Sequence, residues 1–370
     1  LRLYPEQKFH PMPISSKVPV TLYGFVSTQT ILADSELGTL GANLSPAAPN
    51  RVIDETTVTP DNAFLAFTLQ NSRLGLYFEP YDFGGKPFTI DARFEIDFFD
   101  ATAASHALAQ PRIRRAYTSI GNDTWRFLAG QEWELFSPLN TPTLNVGSNL
   151  WHQGNLGFRR PQLRVTYNQK YDVSGLEFGA SVNSSSNSLL FNDNGNTTVI
   201  PVFEGRLGYW RNFDAGKFEG YLSALYGQHR NAVAGAADVD NWGVAASVSA
   251  PLIKKYLTLM GEGHYGNSLG SQLSIAANTT KQRTYGHWAA VQSLWYSWFE
   301  TNVGHGMDML KDSEVAAGGI ESNSVFFGNL KFKPVKQFVL GLEYNYLTTE
   351  YSGTGESEAH MLMSNVMYNF

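Results

Sequence analysis

From residue 20 to Phe370 the chain repeats one pattern: apolar and polar side chains alternate along each segment, and the connections between segments are by turns short and long. Between Phe88 and Phe98, the residues Phe88, Ile90, Phe94, Ile96 and Phe98 share one face, and Thr89, Asp91, Arg93, Glu95 and Asp97 share the other. Between Phe338 and Tyr346 the apolar face holds Phe338, Leu340, Leu342, Tyr344 and Tyr346, opposite Gly341, Glu343 and Asn345. A period of two belongs to a β-strand, and it gives each strand one apolar and one polar face. The last residues read the same way. Leu362, Val366, Tyr368 and Phe370 alternate with Asn365 and Asn369, so the final side chain is expected to be packed and its strand to pair with the first one, near residues 20–31.

Short connections are read at 82–85, 121–124, 214–217, 253–255 and 334–337, with further turns near Lys170 and Trp295. Between them lie long polar stretches at 34–61, 101–110, 132–158, 183–199, 231–238, 267–281, 310–322 and 352–357. Eight long loops imply eight hairpins and sixteen antiparallel strands. A soluble sandwich also alternates, but it spreads its aromatic residues through a core between two sheets. Here the rings crowd strand ends, as in LGYWRNF (207–213), LWYSWF (294–299) and LYGF (22–25). Rings placed there are the interfacial girdles of a transmembrane barrel, whose closure leaves no strand edge unpaired in lipid. The fold expected is all-β: a transmembrane antiparallel β-barrel of about 16 strands.

Composition narrows the function. Asp and Glu (33) outnumber Lys and Arg (27), and the basic residues are dispersed, which excludes a nucleic-acid partner. The chain has no cysteine, so disulfide scaffolds and thiolate metal sites are excluded. Its eight histidines lack metal-ligand spacing, and no metal or cofactor is implied. A barrel enzyme would need a serine beside a histidine, or aspartate and histidine clustered at one rim; no such spacing occurs, so no enzyme is expected. No export signal is read, as expected of a processed chain.

Four stretches, in this order, resemble the DcaP-like family of trimeric outer-membrane porins: SRLGL (72–76), LAGQEW (128–133), RRPQLRVTY (159–167) and LGLEYNYL (340–347). The resemblance covers nearly the whole chain from Leu22 onward. It implies a homotrimer in the bacterial outer membrane, among membrane lipids and lipopolysaccharide, passing small hydrophilic solutes, with small dicarboxylates the family's preference. It also implies that the third long loop, 132–158, folds into the lumen as a constriction. That loop carries Trp133, Phe136, Leu139, Leu144, Leu150 and Trp151, and so apolar a loop needs somewhere to bury. Two departures stand out. Residues 1–19 hold four prolines and no heptad, so a periplasmic tail or linker is expected there, with 20–370 as the barrel. Glu132 replaces the neutral hydroxyl residue expected in the Gly-Gln-x-Trp motif.

The wall beside this loop is rich in arginine. Alternation places Arg112 and Arg114 on the lumen face of one strand, Arg126 on the next, Arg160 and Arg164 on the one after, and Arg93 on the one before. Strands lie about 4.8 Å apart, so these six can form one basic patch facing Glu132, Trp133 and Glu134. Such a patch favours anions and grips carboxylates bidentately. Two alternatives stay open. The arginines can simply neutralise Asp91, Glu95, Asp97, Glu132 and Glu134, leaving a general pore, or Trp133, Trp151, Trp210 and Tyr221 can form a stacking track for carbohydrate. Arg114 and Arg115 are adjacent, so a one-residue slip exchanges their faces.

Overall fold

The computed structural model describes residues 19–35, 37, 52, 63–82, 87–99, 110–145, 149–185, 200–229, 237–254, 256–276 and 280–370. Its strands are β1 (Val20–Ala33), β2 (Phe64–Thr68), β3 (Arg73–Asp82), β4 (Thr89–Asp97), β5 (Arg112–Gly121), β6 (Trp125–Trp133), β7 (Arg159–Lys170) and β8 (Ser174–Asn183). There follow β9 (Val202–Phe213), β10 (Gly216–His229), β11 (Val239–Ile253), β12 (Leu257–Asn267), β13 (Arg283–Tyr296), β14 (Phe299–Leu310), β15 (Ile320–Val335), β16 (Phe338–Tyr351) and β17 (Gly355–Asn369). The short β2 pairs with β1 over Gln29–Ala33, and β3 pairs with β1 over Val20–Phe25. These two are halves of one interrupted span, so seventeen strands make sixteen spans. Of the sequence-expected segments, 1–18 and most of the loops at 34–61, 101–110, 183–199 and 231–238 lie outside the described residues.

Closure is made by β17 on β1, in register from Phe25 opposite Asn369 to Ala33 opposite Met361. Beyond that ladder the backbones of Gly24 and Phe370 exchange two hydrogen bonds, of 3.1 and 3.0 Å. Phe370 thus completes the ring. A Cβ at Gly24 would stand 2.2 Å from the Arg73 carbonyl oxygen, so the first span can lie between its two neighbours here only without a side chain.

Outward faces are apolar. Val26, Leu163, Leu222, Val303, Leu330 and Val366 are each well exposed on the barrel's exterior, as a hydrocarbon solvent requires. Rings mark both ends of this band. Trp125, Phe213, Trp295, Tyr296 and Trp298 are exposed at the short-turn end, and Tyr226, Tyr265 and Tyr285 near the loop end. Two sequence expectations change here. Tyr23 is no girdle residue, because its hydroxyl points inward and donates to Glu95 at 2.9 Å. The connection at 352–357 is no long loop either. It is a tight turn over 352–354, with Gly353 at φ 85° and Ser357 already buried in β17.

The inward faces divide the lumen. On β1 and β13 to β17 they are partly apolar: Ile31, Trp288, Ala290, Val325, Phe327, Leu347, Met361 and Met363 are all buried and pack with Leu150 of the third long loop. The simple rule of polar inside and apolar outside fails on this side because the lumen there is filled with protein, not water. The described residues of the loop, 134–145 and 149–158, lie inside the barrel. Phe136 and Leu156 pack with Val202, Leu225, Ala245 and Leu269, while Trp151 and Phe158 pack with Leu273.

Polar clamps fix the loop to the same wall. Glu343, fully buried, accepts from Thr143 Oγ1 (2.7 Å), the Leu144 amide (2.5 Å) and Asn329 Nδ2 (2.8 Å). Lys331 Nζ and Asn329 Nδ2 donate to the Pro142 carbonyl at 2.8 and 3.1 Å, and Gln29 Nε2 to the Leu144 carbonyl at 3.0 Å. Farther along, Asn323 Nδ2 donates to the His152 carbonyl at 2.8 Å. Burial pushes the His152 imidazole below its usual range, and its Nδ1–H is donated to the Ser274 carbonyl at 2.9 Å.

Two outcomes follow from this architecture. Gly24→Val forces the seam apart at a cost of about 1–3 kcal/mol, so the heat needed to convert the compact gel species into the unfolded one should fall; an unchanged conversion temperature contradicts the closure described. Glu343→Ala removes the acceptor for the loop tip and leaves buried donors unpaired, costing roughly 2–4 kcal/mol. Single-channel recordings should then show larger, flickering currents, whereas a quiet conductance equal to wild type would mean the clamp does not hold the loop.

Candidate pore constriction

With the loop's middle fastened to β15 and β16, a cavity remains beside the opposite wall. It has a volume of about 380 Å³ and is lined by Arg115, Arg126, Arg164 and Arg206 from the wall and by Glu132, Trp133 and 137–140 from the loop side. The wall arginines come from β5, β6, β7 and β9, whose polar faces point inward because their outward neighbours Ile120, Phe127, Leu163 and Leu207 must meet lipid.

The arrangement on β5 depends on a β-bulge. The pairing of β4 with β5 slips between Glu95 and Ile96: Glu95 faces Arg115, whereas Ile96 faces Ile113, so Arg114 is the extra residue. A bulge adds one residue to one strand and breaks the alternation. In consequence Arg112, Arg114 and Arg115 all turn inward. Strict alternation missed Arg115. The signal is in the sequence, since Ile113 and Ile120 both face outward yet are an odd number of residues apart.

The six expected arginines take different places. Arg126 and Arg164 line the cavity. The side chain of Arg126 is 45% exposed, and its Nη2 reaches both Asp91 oxygens, at 2.9 and 3.0 Å. Arg164 donates Nε to Gln162 Oε1 at 2.9 Å and Nη2 to the Trp133 carbonyl; both acceptors are neutral, and among the described residues no carboxylate pairs with it.

Arg112 and Arg114 lie deeper. Arg112 holds Asp97 with two bonds, of 2.9 and 2.7 Å, and Arg114 bridges Glu95 and Asp97 at 2.9 Å each. Arg160 departs furthest from the expectation of a pore-facing residue. Fully buried, it pairs with Glu134 Oε2 at 2.6 Å and donates to the carbonyls of Ser185 and Ser271, tying the loop's two ends and a 3-10 turn (Leu269–Gln272) together. Arg93 stacks on Tyr77 and Tyr23, with guanidinium carbon to ring centroid distances of 5.1 and 5.5 Å.

At the loop end of β6, Glu132 takes a paired salt link from Arg115 and also accepts the Trp133 amide at 2.7 Å. The acidic residue at this motif position is therefore the counter-ion of the arginine that the bulge turns inward. Trp133 packs with Trp151 and Phe158 in the loop cluster. Arg206 was missed by the sequence reading, although outward Phe203, Leu207 and Tyr209 set its face. It is held by Glu177 at 2.9 and 2.6 Å and lies over the Tyr221 ring at 5.2 Å. The supposed aromatic track is not assembled: Trp151 is buried in the loop, whereas Tyr221 serves Arg206.

Comparison with known proteins bears on the fold. No protein-family model and no curated protein sequence matches the chain. Among solved structures, the outer-membrane channel DcaP of Acinetobacter baumannii is similar at a TM-score of 0.74 and 19% identity, over 96% of this chain and 99% of that one. The anion-selective porin from Comamonas acidovorans is similar at 0.63 and 13% identity, over 96% and 100%. The trimer form of OmpT, an outer-membrane protein of Vibrio cholerae, is similar at 0.58 and 11% identity, over 95% and 99%. In its fold, a closed antiparallel barrel of sixteen spans, the chain is therefore like these outer-membrane channels.

Proposed function

We propose that the chain is a member of the DcaP-like porins that carries small anionic solutes, carboxylates foremost, by passive diffusion across the outer membrane. Residues 20–370 form the channel and 1–19 a periplasmic tail or linker. The observation that carries this reading is Arg164. Its guanidinium stays protonated at any physiological pH, lines the passage and rests on neutral acceptors alone. Arg115, Arg126 and Arg206 beside it are each matched by a carboxylate, whereas Arg164 has none in ion-pair contact and feels Glu204 only from farther off. Permeation responds to charge at the narrowest point, where a low-dielectric wall focuses the field. Catalysis has no part in this reading, and a carbohydrate path is disfavoured because Trp151 is buried against Phe158 and Arg159 lies over the rings of Trp133 and Phe158.

The assembly we propose is a homotrimer surrounded by lipid and lipopolysaccharide, as the trimer form of the Vibrio protein suggests. Its contact uses the spans on the N-terminal side of the seam, where β2 to β6 have 5 to 10 residues against 12 to 16 in β13 to β17.

Reversal potentials in a salt gradient across a planar bilayer test the selectivity. Wild type should favour the anion. Removing one unit charge takes away about 1 kcal/mol of attraction at 4 Å in water, about fivefold in local anion concentration. Arg164→Ala should therefore move the potential toward the cation side, and Arg206→Ala should move it the same way, because it leaves Glu177 without its partner. A cation-selective wild type indifferent to Arg164→Ala would leave a general porin as the better account.

A further inference from the structure

Arg159, at the loop end of β7, is the least satisfied charge among the described residues. It is 2% exposed, and none of its Nε, Nη1 and Nη2 has a hydrogen-bond partner. Only rings hold it: the guanidinium carbon lies 4.4 Å from the Phe158 centroid and 4.6 Å from that of Trp133. Both rings are shared with other arginines, Arg112 standing 6.0 Å from Phe158 and Arg114 6.0 Å from Trp133.

No carboxylate is left over nearby. Asp97 is taken by Arg112 and Arg114, Glu95 by Arg114 and Tyr23, Glu132 by Arg115 and Glu134 by Arg160. Arginine does not shed its proton to escape such a site. A buried, unpaired guanidinium is costly, and stacking on two rings offsets only part of that cost while leaving the planar edge with its five N–H donors unused. What matches that edge is an anion with two oxygens in one plane.

We propose that Arg159 anchors a carboxylate-binding site at the loop end of the barrel, above the passage lined by Arg115, Arg164, Arg126 and Arg206, so that an anionic solute is captured there before it meets the constriction. The site is reached by movement of the Arg159 side chain out of its ring stack, which no hydrogen bond opposes. This deepens the anion-channel reading and rests on it. A stacked arginine with a free edge binds weakly enough to release, as conduction demands.

The test compares the full barrel with Arg159→Met, which keeps the ring packing, and Arg159→Lys, which keeps the charge without the fork. Succinate, added from the loop side of a planar bilayer, is titrated against single-channel current, and crystals are soaked in bromide as a second probe. Loss of a charged hydrogen-bond pair should weaken succinate block about tenfold in Arg159→Met and less in Arg159→Lys. Potassium chloride conductance should stay within about twofold, since the constriction arginines remain. Bromide should give an anomalous peak beside Arg159 in wild type and none in Arg159→Met. Succinate block unchanged in Arg159→Met but weakened in Arg164→Ala overturns the proposal. If wild type itself ignores succinate, the anion-channel reading has failed, and the bromide peak alone then decides: its presence sustains an anion site at Arg159, and its absence overturns it.

Discussion

In hydrocarbon no water waits to replace a missing hydrogen bond, so a sheet that crosses a membrane has to end by meeting its own beginning. Here that meeting rests on the ladder of β17 with β1 and on the reciprocal backbone bonds of Gly24 and Phe370. The closed ring fixes the lumen's circumference, and the lumen in turn defines the surface on which the third loop lies. The apolar side chains of that loop, unfavourable in water, become the packing of the barrel's inner half.

The lumen is consequently two environments. Along β13 to β17 and β1, loop and wall share a dry interface sealed by Leu150, Trp288 and Phe327 and registered by Glu343. Along β5 to β7, with Arg206 of β9, a cavity lined by guanidinium groups remains. One loop accomplishes both: its middle is clamped to β15 and β16, while its ends pack on β9 to β12 and leave the cavity beside β5 to β7. The many ion pairs behind the passage are not best understood as stability. Burying charges costs about as much as pairing returns, and what pairs such as Arg112–Asp97 and Arg160–Glu134 provide is position: they hold the loop's ends and the bulged strand where the exposed charges are needed.

Much was legible in the sequence because lipid imposes a rule that acts residue by residue. Every outward side chain has to be apolar, so the spans, their faces, the short-turn and long-loop order and the closing strand could be read from alternation alone. The same rule indicated the inward arginines in aggregate. It failed for Arg115, where a bulge inserts a residue, and it had no means of separating Arg160, which fastens the loop, from Arg164, which lines the gap. It also failed along β15 to β17, where Phe327, Leu347 and Met361 are apolar on both counts of the pattern because protein, not water, fills that side.

What the amino-acid sequence determined by itself is therefore the barrel: its strand count, its membrane face and its seam, all set by local periodicity and by one solvent. What only the tertiary structure decided is the pore. Whether a given arginine meets solute or a carboxylate depends on partners such as Asp97 to Arg114, Glu134 to Arg160 and Glu343 to Leu144, brought together across 17, 26 and 199 residues. Pairings at such separations follow from register, bulge and loop placement, which no local period records.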